Sequence, residues 1–253
     1  MTKVSTSESA WFSKKEPAGA RLYVIPQAGG GAASVTPLRR ALEPRVATVA
    51  VRAPFRESRL AESLPGSLHA LADDLTEAIS AHAGEESFLI LGHCSGALLA
   101  YETAVRLAGR GGMRGLVVSA QVAPERFAPV PTRSMSPGAF HAYVEEHELV
   151  PREVLDTPAL WELLRPTLRS DLRLYEEYRP SSHVLDVPVL ALHGVHDARL
   201  HASDVAAWRS RTCADFQHVT LARSHDYLDS RPEELAGAVV AALPHFAPFP
   251  PCP

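Results

Sequence analysis

The sequence predicts one α/β domain built on a mainly parallel, doubly wound sheet, with a helical insertion late in the chain. Three observations lead there. Short, continuous apolar runs recur along the chain, as expected of strands covered on both faces. Helix-period stretches separate several of them, and repeated β-then-α order implies parallel pairing. From about residue 137 to 178 the alternation stops and the pattern is helical only.

The elements follow in order. Strands are expected at Leu22–Ile25, Val46–Val51, Phe88–Leu91, Leu116–Ser119, Val189–Leu192 and His218–Leu221. Helices are expected at Ser67–Ala83, Ala97–Ala108, Ala202–Arg209 and Pro232–Ala242. In the insertion, Phe140, Tyr143 and Val144 share one helix face, and Leu160, Leu163, Leu164 and Leu168 another. An insertion between two core strands reads as a lid over the active end of the sheet or as a packed helical pair with no gating role. The domain is expected to span residues 19–243, with the insertion at about 130–180. Residues 1–18 read as a flexible leader, and 244–253, rich in proline, as a tail along the surface.

Composition narrows the class. With 253 residues, 46% of them hydrophobic, the chain can bury a substantial core. The formal charge of −4 argues against a nucleic-acid partner. No apolar run reaches the ~18 residues of a membrane span, and the Ser-, Lys- and Glu-rich start lacks the apolar stretch of a secretory signal. A cytoplasmic protein without membrane attachment is expected. Cys94, Cys213 and Cys252 form no CxxC pair, so free thiols are expected rather than a disulfide framework.

The chemistry centres on Gly92-His93-Cys94-Ser95-Gly96, entered from a strand and left into a helix. This is the G-x-S-x-G nucleophile elbow with cysteine in the middle. The turn is too tight for flanking side chains, and the helix N-terminus beneath it favours a thiolate. Ser95 also offers a hydroxyl, but one position off the centre of so sharp a turn its side chain is aimed elsewhere. A buried structural cysteine is the bland alternative.

A nucleophile needs a base and the base an orienting acid, which in elbow folds follow in the order nucleophile, acid, histidine. Asp197 lies in the loop after the strand at 189–192, and His225 in the loop after the strand ending near Leu221. The order Cys94, Asp197, His225 is satisfied. Other groups fit less well. His193 and His196 flank Asp197 but lack a third ligand at metal-site spacing, so no metal is expected. Asp226 adjoins His225 too closely to orient its ring, Asp186 precedes its strand, and His93 inside the elbow reads as structural.

An oxyanion needs donors. The Ser95 N–H, just after the nucleophile, is one candidate, and the Ala28 N–H in Pro26-Gln-Ala-Gly-Gly-Gly31 is the other. That glycine run lacks the Lys-Ser/Thr of a P-loop and the spaced glycines of a dinucleotide turn.

From about Arg21 to Leu228 these segments resemble the type II thioesterases, α/β-hydrolase-fold enzymes of polyketide and nonribosomal peptide assembly lines. Pro26-Gln-Ala-Gly-Gly-Gly31 resembles that family's Pro-His-Ala-Gly-Gly, and Ala53-Pro-Phe-Arg56 stands where Pro-Gly-Arg is usual. Gly92 to Glu102 resembles its elbow and helix. Leu163-Leu-Arg-Pro-Thr-Leu-Arg-Ser-Asp171 with Tyr175-Glu-Glu-Tyr178 resembles the second half of its lid. Gly194-Val-His-Asp197 and Ser224-His-Asp-Tyr-Leu228 resemble its acid and histidine loops. The resemblance implies an acyl or peptidyl carrier protein as partner, with phosphopantetheine on the carrier and no cofactor bound by this chain.

Two departures stand out. Gln27 replaces the usual His at the substrate entrance, and Cys94 replaces the usual Ser. A cysteine acyl-enzyme is itself a thioester, so the resemblance leaves hydrolysis and transfer to a second thiol or an amine both open. A general esterase and a non-catalytic scaffold are the remaining classes. Arg106, Arg110 and Arg114 read as a solvated basic patch or as a greeting for an acidic carrier protein.

Overall fold

The computed structural model describes residues 8–12, 21–225, 227, 228 and 230–246. In chain order the elements are α1 (Glu8–Trp11), β1 (Arg21–Ile25), α2 (Thr36–Leu42), β2 (Ala47–Ala50), α3 (Leu68–Ala83), β3 (Phe88–His93), α4 (Ser95–Leu107) and β4 (Met113–Ser119). There follow α5 (Pro137–Glu146), α6 (Arg152–Asp156), α7 (Pro158–Glu176), β5 (Val189–Gly194), α8 (Ala202–Ala206), β6 (Phe216–Leu221) and α9 (Pro232–Ala242).

The six strands form one sheet in the order β2-β1-β3-β4-β5-β6, and every pairing is parallel. Side chains alternate across it. In β1, Tyr23 and Ile25 join the core beneath α3 and α4, while Leu22 and Val24 join the core beneath α2 and α9. Strands β1, β3 and β5 are buried along their whole length, which is why their sequences read as unbroken apolar runs. Strand order reverses at β1, which has β2 on one side and β3 on the other. A crevice opens at the carboxyl ends of strands at such a point, and the loops after β1 and β3 meet there.

The insertion sits between β4 and β5 as α5, α6 and α7, with its own small core of Phe140, Val144, Trp161 and Leu168. The leucine face expected on α7 is rotated. Leu168 is buried, but Leu160 and Leu163 are 41% and 73% exposed. The inward face is instead Trp161, Leu168, Asp171 and Tyr175, because Asp171 and Tyr175 have polar partners inside, described below.

Several expectations need correction. Helix α2 was not expected, because its Pro37 and Arg39-Arg40 obscure the periodicity carried by the buried Leu38 and Leu42. Part of the expected leader is docked: Phe12 forms an antiparallel bridge with Val51, and the Arg59 guanidinium stacks 4.1 Å over the Trp11 ring. Two adjacent large aromatics have reason to leave water. The rest of the expected leader, residues 1–7 and 13–18, lies outside the described residues. The expected tail begins late, since Leu243–Phe246 form a 3₁₀ turn that buries Phe246. Residues 247–253, Cys252 among them, lie outside the described residues. Among the described residues no helix is long and apolar enough to cross a membrane.

Candidate active site

At the end of β3 the chain reverses through Cys94, whose φ of 52° and ψ of −130° lie where side chains are rarely found. Its neighbours explain how the turn closes. A Cβ on Gly92 would collide with the backbone of Gly96 and Ala97, and one on Gly96 with the carbonyls of Ile25 and Pro26. The Cys94 N–H donates to the Ser119 carbonyl at 2.7 Å, anchoring the turn to β4. Helix α4 then starts at Ser95, its N-terminus directed at the sulfur.

The acid and histidine loops are laced together. The Val195 N–H donates to the Leu221 carbonyl and the His196 N–H to the Arg223 carbonyl, both at 2.8 Å. This brings Asp197, 5% exposed, to His225, whose Nδ1 lies 2.6 Å from Asp197 Oδ2. The Arg199 N–H donates to the other carboxylate oxygen at 3.0 Å. Cys94, Ser95, Gln27, Ala28, Arg199 and His225 line one cavity of about 380 Å³, roofed by Leu149, Val150, Leu155, Leu168 and Leu172 of the insertion.

The charges in the cavity shift one another. Burial pushes the Cys94 thiol up, but the charge and hydrogen bonding of His225, the charge of Arg199 and the Ser95 N–H outweigh it, and its pKa is lowered. Burial pushes His225 down, yet the Cys94 thiolate and the Asp197 hydrogen bond raise it to about 9. Burial likewise pushes Asp197 up, and the hydrogen bond and charge of His225 bring it below the usual carboxylate value. Both shifts favour the charged forms, thiolate at Cys94 and imidazolium at His225. His225 Nε2 is buried, and its partner among the described residues is the Cys94 sulfur.

A pH profile follows from these directions. An ordinary thiol loses about tenfold in alkylation rate per pH unit below ~8.5. Because the Cys94 pKa is lowered, its alkylation by iodoacetamide, followed by peptide mass spectrometry, is expected to reach its plateau at a lower pH than an unperturbed thiol does. A Cys94 profile with the midpoint of an unperturbed thiol would contradict the ion pair.

The remaining nominated groups fall as follows. His93 is buried, its Nδ1 3.0 Å from Ser119 Oγ, and burial followed by the charge of His225 pushes its pKa well below the usual value. Its ring lies beside that of His225, with 5.7 Å between ring centres. His193 pairs with His218, Nδ1 to Nε2 at 2.9 Å, while His196 and Asp186 are exposed. Among the described residues no three His, Cys, Asp or Glu side chains cluster as metal ligands do, and Asp226 lies outside the described residues. Arg106 is ion-paired with Asp73 and Glu102, Arg110 with Glu77, and Arg114 Nε donates to Ser87 Oγ. Gln27 lines the cavity wall, and its buried Oε1 has no partner among the described residues.

At the loop after β1 the structure adds one contact to the oxyanion expectation. The Ala28 N–H is not free: it donates to Ser95 Oγ at 2.8 Å. The Ser95 side chain, as the first residue of α4, swings toward the loop after β1 and meets that N–H. The same contact ties the Ser95 oxygen down, whereas His225 acts on Cys94.

Arg56, Asp171, Tyr175 and Arg199 have roles in the site that no local motif marks. Asp171 of α7 accepts from the Gly29 N–H at 2.7 Å and forms a two-pronged pair with Arg56, at 3.0 and 2.5 Å. Arg56 Nη1 also donates to the Gly30 carbonyl at 2.6 Å. The Tyr175 hydroxyl donates to the Ser95 carbonyl at 2.9 Å. Arg199 Nη1 donates to the His147 carbonyl at 2.9 Å, joining the acid loop to the end of α5. Helix α7 thus grips both the loop after β1 and the elbow. The only sequence signal was the composition of Leu163–Asp171, where an acid follows an apolar stripe at helical spacing.

Comparison with known proteins agrees with this architecture. Residues 20–243 match the family model described as "Thioesterase domain". Thioesterase PikA5 of Streptomyces venezuelae is 31% identical over 243 residues, covering 93% of this chain and 86% of that protein. AMB antimetabolite synthetase AmbE of Pseudomonas aeruginosa is 29% identical over 235 residues, which are 90% of this chain but 11% of that one. Among solved structures, the type II thioesterase BorB from the borrelidin biosynthetic cluster superposes with a TM-score of 0.77 at 28% identity, covering 93% of this chain and 97% of that one.

Proposed function

The chain belongs to the thioesterase domain family, and from this we propose that it hydrolyses acyl thioesters presented by a carrier protein of a polyketide or nonribosomal peptide pathway, through an acyl-enzyme on Cys94. The observation that carries the mechanism is one cavity holding Cys94 at a helix N-terminus beside a His225 that is hydrogen-bonded to Asp197. The pathway context is that of the relatives: BorB is a type II thioesterase from the borrelidin biosynthetic cluster. The phosphopantetheine arm, in this reading, comes with the carrier as part of the substrate.

The steps use this chain's groups in turn. The Cys94 thiolate attacks the thioester carbonyl and the oxygen takes the negative charge. As the carbonyl reforms, the carrier's sulfur leaves and takes the proton of the His225 imidazolium. Cys94 now carries the acyl group as a new thioester, and His225 is neutral. His225 next accepts a proton from water as that water attacks the acyl carbon. Collapse releases the carboxylic acid and restores thiolate and imidazolium. Asp197 holds the ring orientation and favours its charged form throughout.

Intact-mass measurement on acyl-loaded carrier protein tests this. The expected result is free acid in solution, with a transient acyl adduct on the Cys94 peptide. Acyl groups accumulating on a second, unloaded carrier without loss to water would make the chain a transferase instead. Turnover of oxygen esters with none of thioesters would make it a general esterase.

A further inference from the structure

We propose that the Ser95 side-chain hydroxyl is itself a donor of the oxyanion site, with the Ala28 N–H acting through it rather than directly. The inference rests on the reading of Cys94 as an acyl-accepting nucleophile. The Ala28 N–H, the donor expected to face the substrate, points at Ser95 Oγ from 2.8 Å. Ser95 is buried to 7% exposure, and Ser95, Ala28 and Cys94 line the same cavity.

A hydroxyl has one proton to give and two lone pairs to fill. At Ser95 one lone pair is taken by Ala28, and among the described residues no acceptor takes the proton. A buried O–H without an acceptor is costly unless something in the cavity supplies one. The oxygen of a thioester carbonyl, charged during attack, is an acceptor of the right kind. A hydroxyl that already accepts a hydrogen bond is polarised and donates more strongly, and it sits at the positive end of the 13-residue α4. Ser95 therefore offers two donors from one residue. Its N–H already acts on the Cys94 sulfur at rest, and its Oγ is held by the Ala28 N–H of the loop after β1, which leaves the O–H to an acceptor in the cavity. That loop is in turn fixed through Gly29, Asp171 and Arg56.

Ser95→Ala separates this from the alternative, in which the hydroxyl merely plugs the site and swings aside to expose Ala28. Three readouts are needed on the full chain. For thioester turnover, kcat is expected to fall on the order of 10²-fold, the usual cost of one oxyanion donor, with KM moving far less. For a short-chain alkyl trifluoromethyl ketone, which adds to a thiolate and leaves a charged oxygen, affinity is expected to fall in similar proportion. For iodoacetamide, which alkylates Cys94 without generating an oxyanion, the rate is expected to hold within about twofold, showing that fold and thiolate are intact. Ser95→Thr, which returns the hydroxyl, is expected to recover ketone affinity.

Unchanged or tighter ketone binding in Ser95→Ala would overturn the proposal and make Ala28 the direct donor. A parallel collapse of alkylation would also overturn it, placing the hydroxyl's effect on the sulfur. If the wild-type chain turns over no thioester at all, the reading of the reaction fails. The ketone and alkylation arms still decide whether Ser95 serves an oxyanion.

Discussion

Cys94→Ala is expected to lower thioester turnover by about 10⁴-fold or more and to abolish any covalent acyl adduct. The size follows from how the remaining groups depend on the sulfur. Removing the nucleophile of a triad enzyme costs nearly as much as removing the whole triad, because acid, base and nucleophile work as a unit. Here the dependence extends to charge. His225 is raised to about 9 first of all by the thiolate, so without the sulfur its imidazole loses much of the reason to stay protonated. What remains is the Asp197 contact, with no sulfur left to accept an acyl group. Cys94→Ser, which keeps a nucleophile of the wrong acidity, is expected to fall between the two. The check is turnover of an acyl carrier protein together with mass spectrometry of the elbow peptide. An alanine variant working at the wild-type rate would end the mechanism and leave only the fold.

The second large effect lies in helix α7. Asp171 and Arg56 are 5% and 8% exposed, and their pair is completed by the Gly29 N–H and the Gly30 carbonyl. Asp171→Ala strands a buried guanidinium and a backbone donor together. Breaking one side of a buried ion pair costs about 3–5 kcal/mol. At about 2–4 °C per kcal/mol for a chain of this size, the melting temperature is expected to drop by roughly 10 °C. Activity measured well below that temperature is expected to fall as well, through kcat, because Gly29 adjoins the Ala28 N–H that meets Ser95. Arg56→Met with Asp171→Leu removes both charges and is expected to regain stability without regaining kcat. Melting of Asp171→Ala within about 2 °C of wild type would show that the pair is not the anchor described here.

These two sites differ in how visible they are in sequence. The elbow announces itself because a strand, two glycines and a helix are contiguous, and glycine is required where backbone packs on backbone. The strands announce themselves because a sheet covered on both faces leaves no polar alternation. Asp197 and His225 are placed by loops that follow such strands, and they meet in space as the chain order suggested. The link between Arg56 and Asp171 spans 115 positions and leaves no local pattern, since a buried charge looks like a surface charge until its partner is known. The rotated face of α7 has the same origin: Leu160 and Leu163 are apolar enough to be expected inside, but polar pairing decided which side turned in. Ala28 shows a third limit. Its place in the glycine loop was legible, but the partner of its N–H depended on one neighbouring side-chain rotamer.

Helix α7 and the stretch joining it to α5 divide the roof of the cavity into two kinds of wall. Asp171 and Tyr175 in α7 hold the loop after β1 and the elbow, so change there disturbs the reaction. Leu149, Val150, Pro151 and Leu155 border the same space and hold none of the reacting groups. Changing bulk along that second wall is expected to cost less rate than changing Asp171 or Tyr175. The preference for one acyl size over another is thus free to drift in one short segment while the machinery beneath stays fixed.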